Sequence, residues 1–143
     1  FAVAKLEGLW WFDEDKYQSK TISNSPVEVP RSEWEYRLVI RLPDFVTESD
    51  VKNAITKVLA KKNLNLANEI SFYQMSEGKS VQMLHIGSFA TEPETLQKIG
   101  DFIEANKLTR NGLHHEIYLS DFRKTAPEKL KTILREPVKS VNP

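Results

Sequence analysis

The chain has 143 residues, with lysine plus arginine numbering 20 against 20 aspartate plus glutamate, and no cysteine. The neutral balance excludes the broad electropositive footprint of a nucleic-acid-binding surface, and the missing cysteine excludes disulfides, thiolate nucleophiles and cysteine metal sites. No apolar run approaches the roughly 18 residues a membrane span needs and no signal-peptide pattern opens the chain, so one cytoplasmic domain without membrane association is expected.

From Ala2 to Phe12 the residues suit a strand rich in aromatic side chains, with Trp11 sharing a face with Leu9 and Trp10 with Phe12. A strand already under way at Phe1, with no initiator methionine, leads to the expectation of further sequence upstream. Residues 13–32 are polar, carry Asn24, Pro26 and Pro30, and read as a long loop. Ser32 to Leu42 alternates, placing Trp34, Tyr36, Leu38, Ile40 and Leu42 on one face and Glu35, Arg37 and Arg41 with Val39 on the other. Pro43 ends that strand. Thr47 with Asp50 then forms a capping-box pattern ahead of Val51, Ile55, Val58 and Leu59, which predicts a helix from about Thr47 to Lys62.

Ile70–Met75 and Val81–Ile86 are strand-like runs around Ser76-Glu77-Gly78-Lys79, and their spacing predicts an antiparallel hairpin. Thr91 with Glu94, Pro93 in the first turn, and the stripe Leu96, Ile99, Phe102 and Ile103 predict a second helix, ending near Asn106 to Arg110. Leu113 to Asp121 reads as a strand in which Leu113, His115, Ile117 and Leu119 face one way and His114, Glu116 and Tyr118 the other. A single helical turn around Thr125–Leu130 and a closing strand from Lys131 to Arg135 complete the chain. Two helices interspersed among antiparallel-capable strands indicate an α+β fold. From Val81 onward the order is strand, helix, strand, strand, and the first two strands match the tail of an equivalent unit.

Chemistry concentrates on the strand around Glu116. A carboxylate flanked at two residues' distance by His114 and Tyr118 on the same face is either solvent-facing on an edge strand or lines a site, because burying it without partners costs several kcal/mol. Lining a site, it holds a cationic or polarised ligand or acts as general base on a water, its pKa raised by burial. Tyr118 is placed to donate a hydrogen bond, and His114 to support Glu116 from behind. His85, His114 and His115 invite a metal reading, but adjacent strand residues face opposite sides, so no metal and no cofactor is expected. Trp10, Trp11, Trp34 and Tyr36 serve either as core or as aromatic platforms for a planar or cationic molecule.

Leu6-Glu7-Gly8-Leu9-Trp10-Trp11, the stretch Ser32–Pro43, Leu84-His85-Ile86-Gly87-Ser88-Phe89 with Glu92-Pro93-Glu94-Thr95-Leu96, His115-Glu116-Ile117-Tyr118-Leu119 and Lys129–Val138 together resemble GyrI-like small-molecule-binding proteins. The resemblance spans nearly the whole chain, residues 1–143 as one domain. It implies two strand-helix-strand-strand modules about a ligand cleft, the SOUL/GyrI-type fold of AraC-type effector-binding domains, with the leading strand and helix of the first module not in this chain. It also implies a central glutamate, at Glu116, and aromatic walls, for which Trp10, Trp11, Trp34, Tyr36, Phe89 and Tyr118 qualify. Family members include effector-binding domains, multidrug-binding proteins and a branch that hydrolyses cyclopropane-bearing genotoxins. The expected partner is therefore a small molecule, not a nucleic acid, for either a monomer or a homodimer. The expected activity is binding of planar or cationic hydrophobic compounds, with cyclopropane-opening hydrolysis by Glu116 and Tyr118 as the alternative.

Overall fold

A computed structural model describes residues 2–18 and 21–141. The order of elements is β1 (Leu6–Trp11), α1 (Ser25–Glu28), β2 (Glu35–Ile40), α2 (Glu48–Lys62), β3 (Ser80–Ile86), α3 (Glu92–Ala105), β4 (Leu108–Arg110), β5 (His114–Tyr118) and β6 (Lys131–Ser140). The expected α+β class holds, with all strand pairs antiparallel in the order β2-β1-β5-β6-β3 and β4 paired to the far end of β6. The chain divides into two compact units, a smaller one of residues 2–3 and 41–76 and a larger one holding all the strands.

In the larger unit, alternation along the strands decides which side chains meet α3. β6 presents Leu134 and Val138 to the side covered by Leu96, Ile99 and Ile103 of α3, and these five residues form the buried core. Leu96, Ile99 and Leu134 are each no more than 1% exposed. Each such side chain removed from water contributes about 1.5–3 kcal/mol. The apolar stripe of α3 was legible from its spacing, except that Phe102 is 53% exposed. Thr91 does not cap this helix as expected, its hydroxyl donating instead to Ser88 O at 2.9 Å.

The expected hairpin of Ile70–Met75 with Val81–Ile86 does not form. β3 pairs instead with β6, from Ser80 opposite Pro137 to Ile86 opposite Lys131, and residues 70–79 join no strand. Pairing with β6 places β3 beside the core strand under α3, a long-range gain that a local turn signal cannot register. The closing strand also runs on to Ser140, past the expected end at Arg135. Pro137 is tolerated there because β6 changes partner at this point: β5 pairs up to Arg135, β4 takes over from Val138, and the Pro137 carbonyl accepts Asn111 N–H at 2.7 Å. The segment expected to be loop before β2 contains the four-residue α1, and the short β4 lies where only a helix end was expected.

The smaller unit is organised by α2, which begins as the sequence indicates. Thr47 Oγ1 accepts Asp50 N–H, and the Asp50 carboxylate accepts Thr47 N–H at 2.8 Å, a reciprocal cap that satisfies two otherwise orphaned donors. Val51, Ala54, Ile55 and Val58 line a groove with Leu42, Val46, Ala67 and Ile70. Asn63 ends α2 in the left-handed conformation.

Candidate functional site: a carboxylate pair under an aromatic rim

β1, β2 and β5 lie side by side, so their registers fix which residues share a surface. Gly8 stands opposite Glu116 and Leu38, and Trp10 opposite His114 and Tyr36. The alternation read from sequence therefore places Trp10, Tyr36, His114, Glu116 and Tyr118 on one face. Trp10 and Tyr36 stack at 5.1 Å between ring centroids, and Phe89, ahead of α3, meets Tyr118 edge-on at 6.3 Å and Phe122 at 6.4 Å. Tyr36 and Leu38 remain more than half exposed, so this aromatic rim opens beside a buried floor.

The floor is polar. Tyr118 Oη donates to Glu116 Oε2 at 2.8 Å and accepts from Trp10 Nε1 at 2.9 Å. The hydroxyl fits above β1 only because residue 8 is glycine: a Cβ there stands 2.7 Å from Tyr118 Oη and 2.6 Å from Trp10 Nε1. His114 lies between two carboxylates, its Nε2 3.0 Å from Glu116 Oε1 and its Nδ1 2.5 Å from Glu136 Oε1. Glu136, 1% exposed, also faces Arg110 Nε at 3.4 Å, and Arg110 Nη1 reaches Glu14 at 3.2 Å. The fourth acid is Glu92, in the first turn of α3 and 6% exposed, whose carboxyl neighbours that of Glu116.

These contacts set the charges. Burial disfavours the imidazolium of His114, but hydrogen bonds and charge from Glu116 and Glu136 outweigh it and raise its pKa to about 10. Burial pushes Glu116 upward, and the hydrogen bond and positive charge of His114, with donation from Tyr118, more than reverse this and hold it below the ordinary value. The expectation of a burial-raised Glu116 is therefore corrected: burial acts, but its partners win. Glu92 is the raised acid, pushed up to about 8 by burial and then by the neighbouring Glu116 charge, with His114 opposing. Tyr118 is pushed upward by burial and by Glu116, so its hydroxyl keeps its proton. At neutral pH Glu116 is therefore ionised, His114 carries a proton on each nitrogen, and Glu92 is neutral. Two buried carboxyls whose pKa values are driven apart form the arrangement in which one serves as base and the other as acid.

Two other aromatics expected at the cleft, Trp11 and Trp34, have partners of their own. Trp11 Nε1 donates to Glu35 Oε2 at 2.6 Å, and Trp34 packs edge-on against Phe12 at 4.8 Å while donating to Val29 O. His115 points to the opposite side of β5, as alternation requires, with Nδ1 2.7 Å from Glu77 Oε2, and Glu77 in turn binds Arg135. His85, 4% exposed, is held by Thr95 Oγ1 and Ser88 O. Among the described residues no group of three or more histidine, aspartate or glutamate side chains is arranged to hold a metal ion. Sequence reasoning missed Glu92, Glu136 and Phe122. Glu136 carried a usable signal, since it shares strand parity with the core residues Leu134 and Val138.

A GyrI-like small molecule binding domain matches residues 2–139, nearly the entire chain. The chain belongs to the GyrI-like family. Among solved structures, an uncharacterized conserved protein from Listeria innocua is 37% identical, with a TM-score of 0.83 over 97% of this chain and 65% of that one. Two structures of a hydrolase from Listeria innocua are each 36% identical with a TM-score of 0.80 over 97% of this chain, and are covered over 64% and 65% of their own length. This GyrI-like chain thus spans just under two thirds of the proteins it matches. No curated protein sequence matches it significantly. Membership makes a small molecule the ligand class of the domain. None of the helices among the described residues is long and apolar enough to cross a membrane.

Proposed function

We propose that this GyrI-like domain binds a planar hydrophobic small molecule against Trp10, Tyr36, Phe89 and Tyr118 and hydrolyses it, with Glu116 activating the attacking water. The observation that carries this reading is the buried pair of carboxyls, Glu116 and Glu92, at the foot of an aromatic rim, with Glu116 held by Tyr118 and His114. Aromatic faces hold a flat substrate by stacking, and a fixed carboxylate a short distance away takes a proton from water as the oxygen attacks. Tyr118 and His114 orient the carboxylate, each through one hydrogen bond to a different oxygen. The Listeria innocua hydrolases at 36% identity support the reaction class. An electrophile suited to this equipment is a cyclopropane conjugated to a dienone, whose ring carbon accepts water while charge moves to the carbonyl oxygen.

Incubation with a spirocyclopropyl cyclohexadienone, followed by mass spectrometry, tests the proposal. The expected product is the ring-opened phenol carrying one added water, and Glu116→Gln lowers its rate of formation by roughly 10²–10⁴-fold. Full turnover by Glu116→Gln removes Glu116 as the base.

A second reading is binding without conversion. It is favoured by the donors already on both Glu116 oxygens, which stabilise the carboxylate and weaken it as a base while leaving its charge to attract a cation. Calorimetric titration with planar organic cations separates the two, since this reading requires saturable binding with the compound recovered unchanged.

A further inference from the structure

The hydrolytic reading assigns a base but leaves open where the developing negative charge finds its proton. Tyr118 suits that task poorly in this geometry, because its hydroxyl proton already lies on Glu116 Oε2 and its oxygen already accepts from Trp10. His114 is also engaged, one nitrogen on each of two carboxylates. Glu92 differs from both. It is more than nine-tenths buried, it neighbours Glu116, and its Oε1 makes no hydrogen bond to the protein. An unpaired buried carboxyl oxygen is destabilising unless a guest satisfies it.

We propose that Glu92 is the acid of this site, delivering a proton from its carboxyl to the substrate oxygen on which charge develops and recovering it from the neighbouring Glu116. The inference rests on the hydrolytic reading and extends it to a second catalytic residue. For the spirocyclopropyl dienone, Glu116 takes one proton from water, and the water oxygen forms a bond to a cyclopropane methylene carbon. The bond from that carbon to the spiro centre breaks, and its electron pair passes through the ring to the dienone oxygen. That oxygen takes the Glu92 proton and becomes a phenol. Glu116 is then protonated and Glu92 ionised, and proton transfer between the two neighbouring carboxyls restores the starting state. The sum is substrate plus one water, with no further reactant.

The groups facing Glu92 set its pH response. Glu116, His114 and Tyr118 come from β5, Glu136 with its Arg110 partner lies behind His114, and His85 of β3 is bound to Thr95 on the same helix. Burial, and then the charge of Glu116, hold Glu92 protonated, so activity falls as pH rises through about 8, while the basic limb disappears when Glu92 is replaced by an amide.

The test compares wild type, Glu92→Gln and Glu92→Ala with the spirocyclopropyl dienone from pH 5 to 10, with circular dichroism to verify folding. Difference infrared spectroscopy of the carboxyl stretch provides a readout independent of turnover. Support consists of a protonated-carboxyl band at pH 7 that is lost in Glu92→Gln, a kcat reduced by on the order of 10²-fold with KM little changed, and a flattened basic limb. The proposal is overturned if the band is absent from wild type, or if wild type turns over and Glu92→Gln retains its rate and pH profile. Absence of turnover in wild type itself overturns the hydrolytic reading instead, and the assignment of Glu92 as its acid falls with it.

Discussion

Replacing Glu136 by glutamine tests the electrostatic account of the site most directly, because Glu136 touches no solvent and the amide keeps the shape while removing the charge. Its carbonyl oxygen still accepts from His114 Nδ1, while the amide N–H2 replaces the oxygen that faces Arg110 Nε, so both cations lose the charge. The rise of His114 from 6.5 to about 10 corresponds to roughly 5 kcal/mol favouring the charged ring in the folded state. Two carboxylates share this effect, so losing one charge removes about 2–3 kcal/mol, at the lower edge of the roughly 3–5 kcal/mol for breaking a buried pair. The sign follows from the raised pKa: the stabilisation is complete below 6.5 and drains away as pH rises through about 10. Urea unfolding at pH 6 and 8 should show the loss, with a Tm lowered by on the order of 8 °C. Proton NMR of the His114 ring should show no titration between pH 5 and 9 in wild type and a downward shift in the variant. A change below about 0.5 kcal/mol refutes the reasoning, since that is the size of an ordinary surface effect. So does a wild-type His114 that titrates near 6.5.

Two further substitutions probe the rim. Gly8→Ala places a Cβ within 2.7 Å of both Trp10 Nε1 and Tyr118 Oη, and is expected to break their hydrogen bond at a cost of about 1–3 kcal/mol, detected as a shift in tryptophan emission and in the urea midpoint. Unchanged emission and stability count against the close approach. Tyr118→Phe removes a donor from Glu116, so the carboxylate loses part of what holds its pKa down, and the acid limb of any pH–rate profile should move up by about one pH unit. A limb that stays in place separates Tyr118 from the ionisation of Glu116.

What the sequence determined by itself is what short-range chemistry encodes. The alternation of His114, His115, Glu116 and Tyr118 put the two histidines on opposite sides of β5 and Glu116 with Tyr118 on one, because a pleated strand leaves no other choice. The cap at Thr47 and Asp50 and the core stripe Leu96, Ile99 and Ile103 were equally legible, since each depends on neighbours within four residues. Only the tertiary structure decided the partner of β3, which a nearby turn pointed to Ile70–Met75 and the burial of β6 assigned elsewhere. Only it decided the chemistry beneath the rim as well. An acid in the first turn of a helix is ordinarily solvated, and nothing local distinguishes Glu92 from Glu94. Its burial beside Glu116, and the capture of His114 by Glu136 from β6, join residues 22 to 24 positions apart in the chain. Proton affinity depends on that surrounding, on desolvation and on the charges a few ångströms away, so which carboxyl keeps its proton is a property of the fold rather than of the sequence pattern.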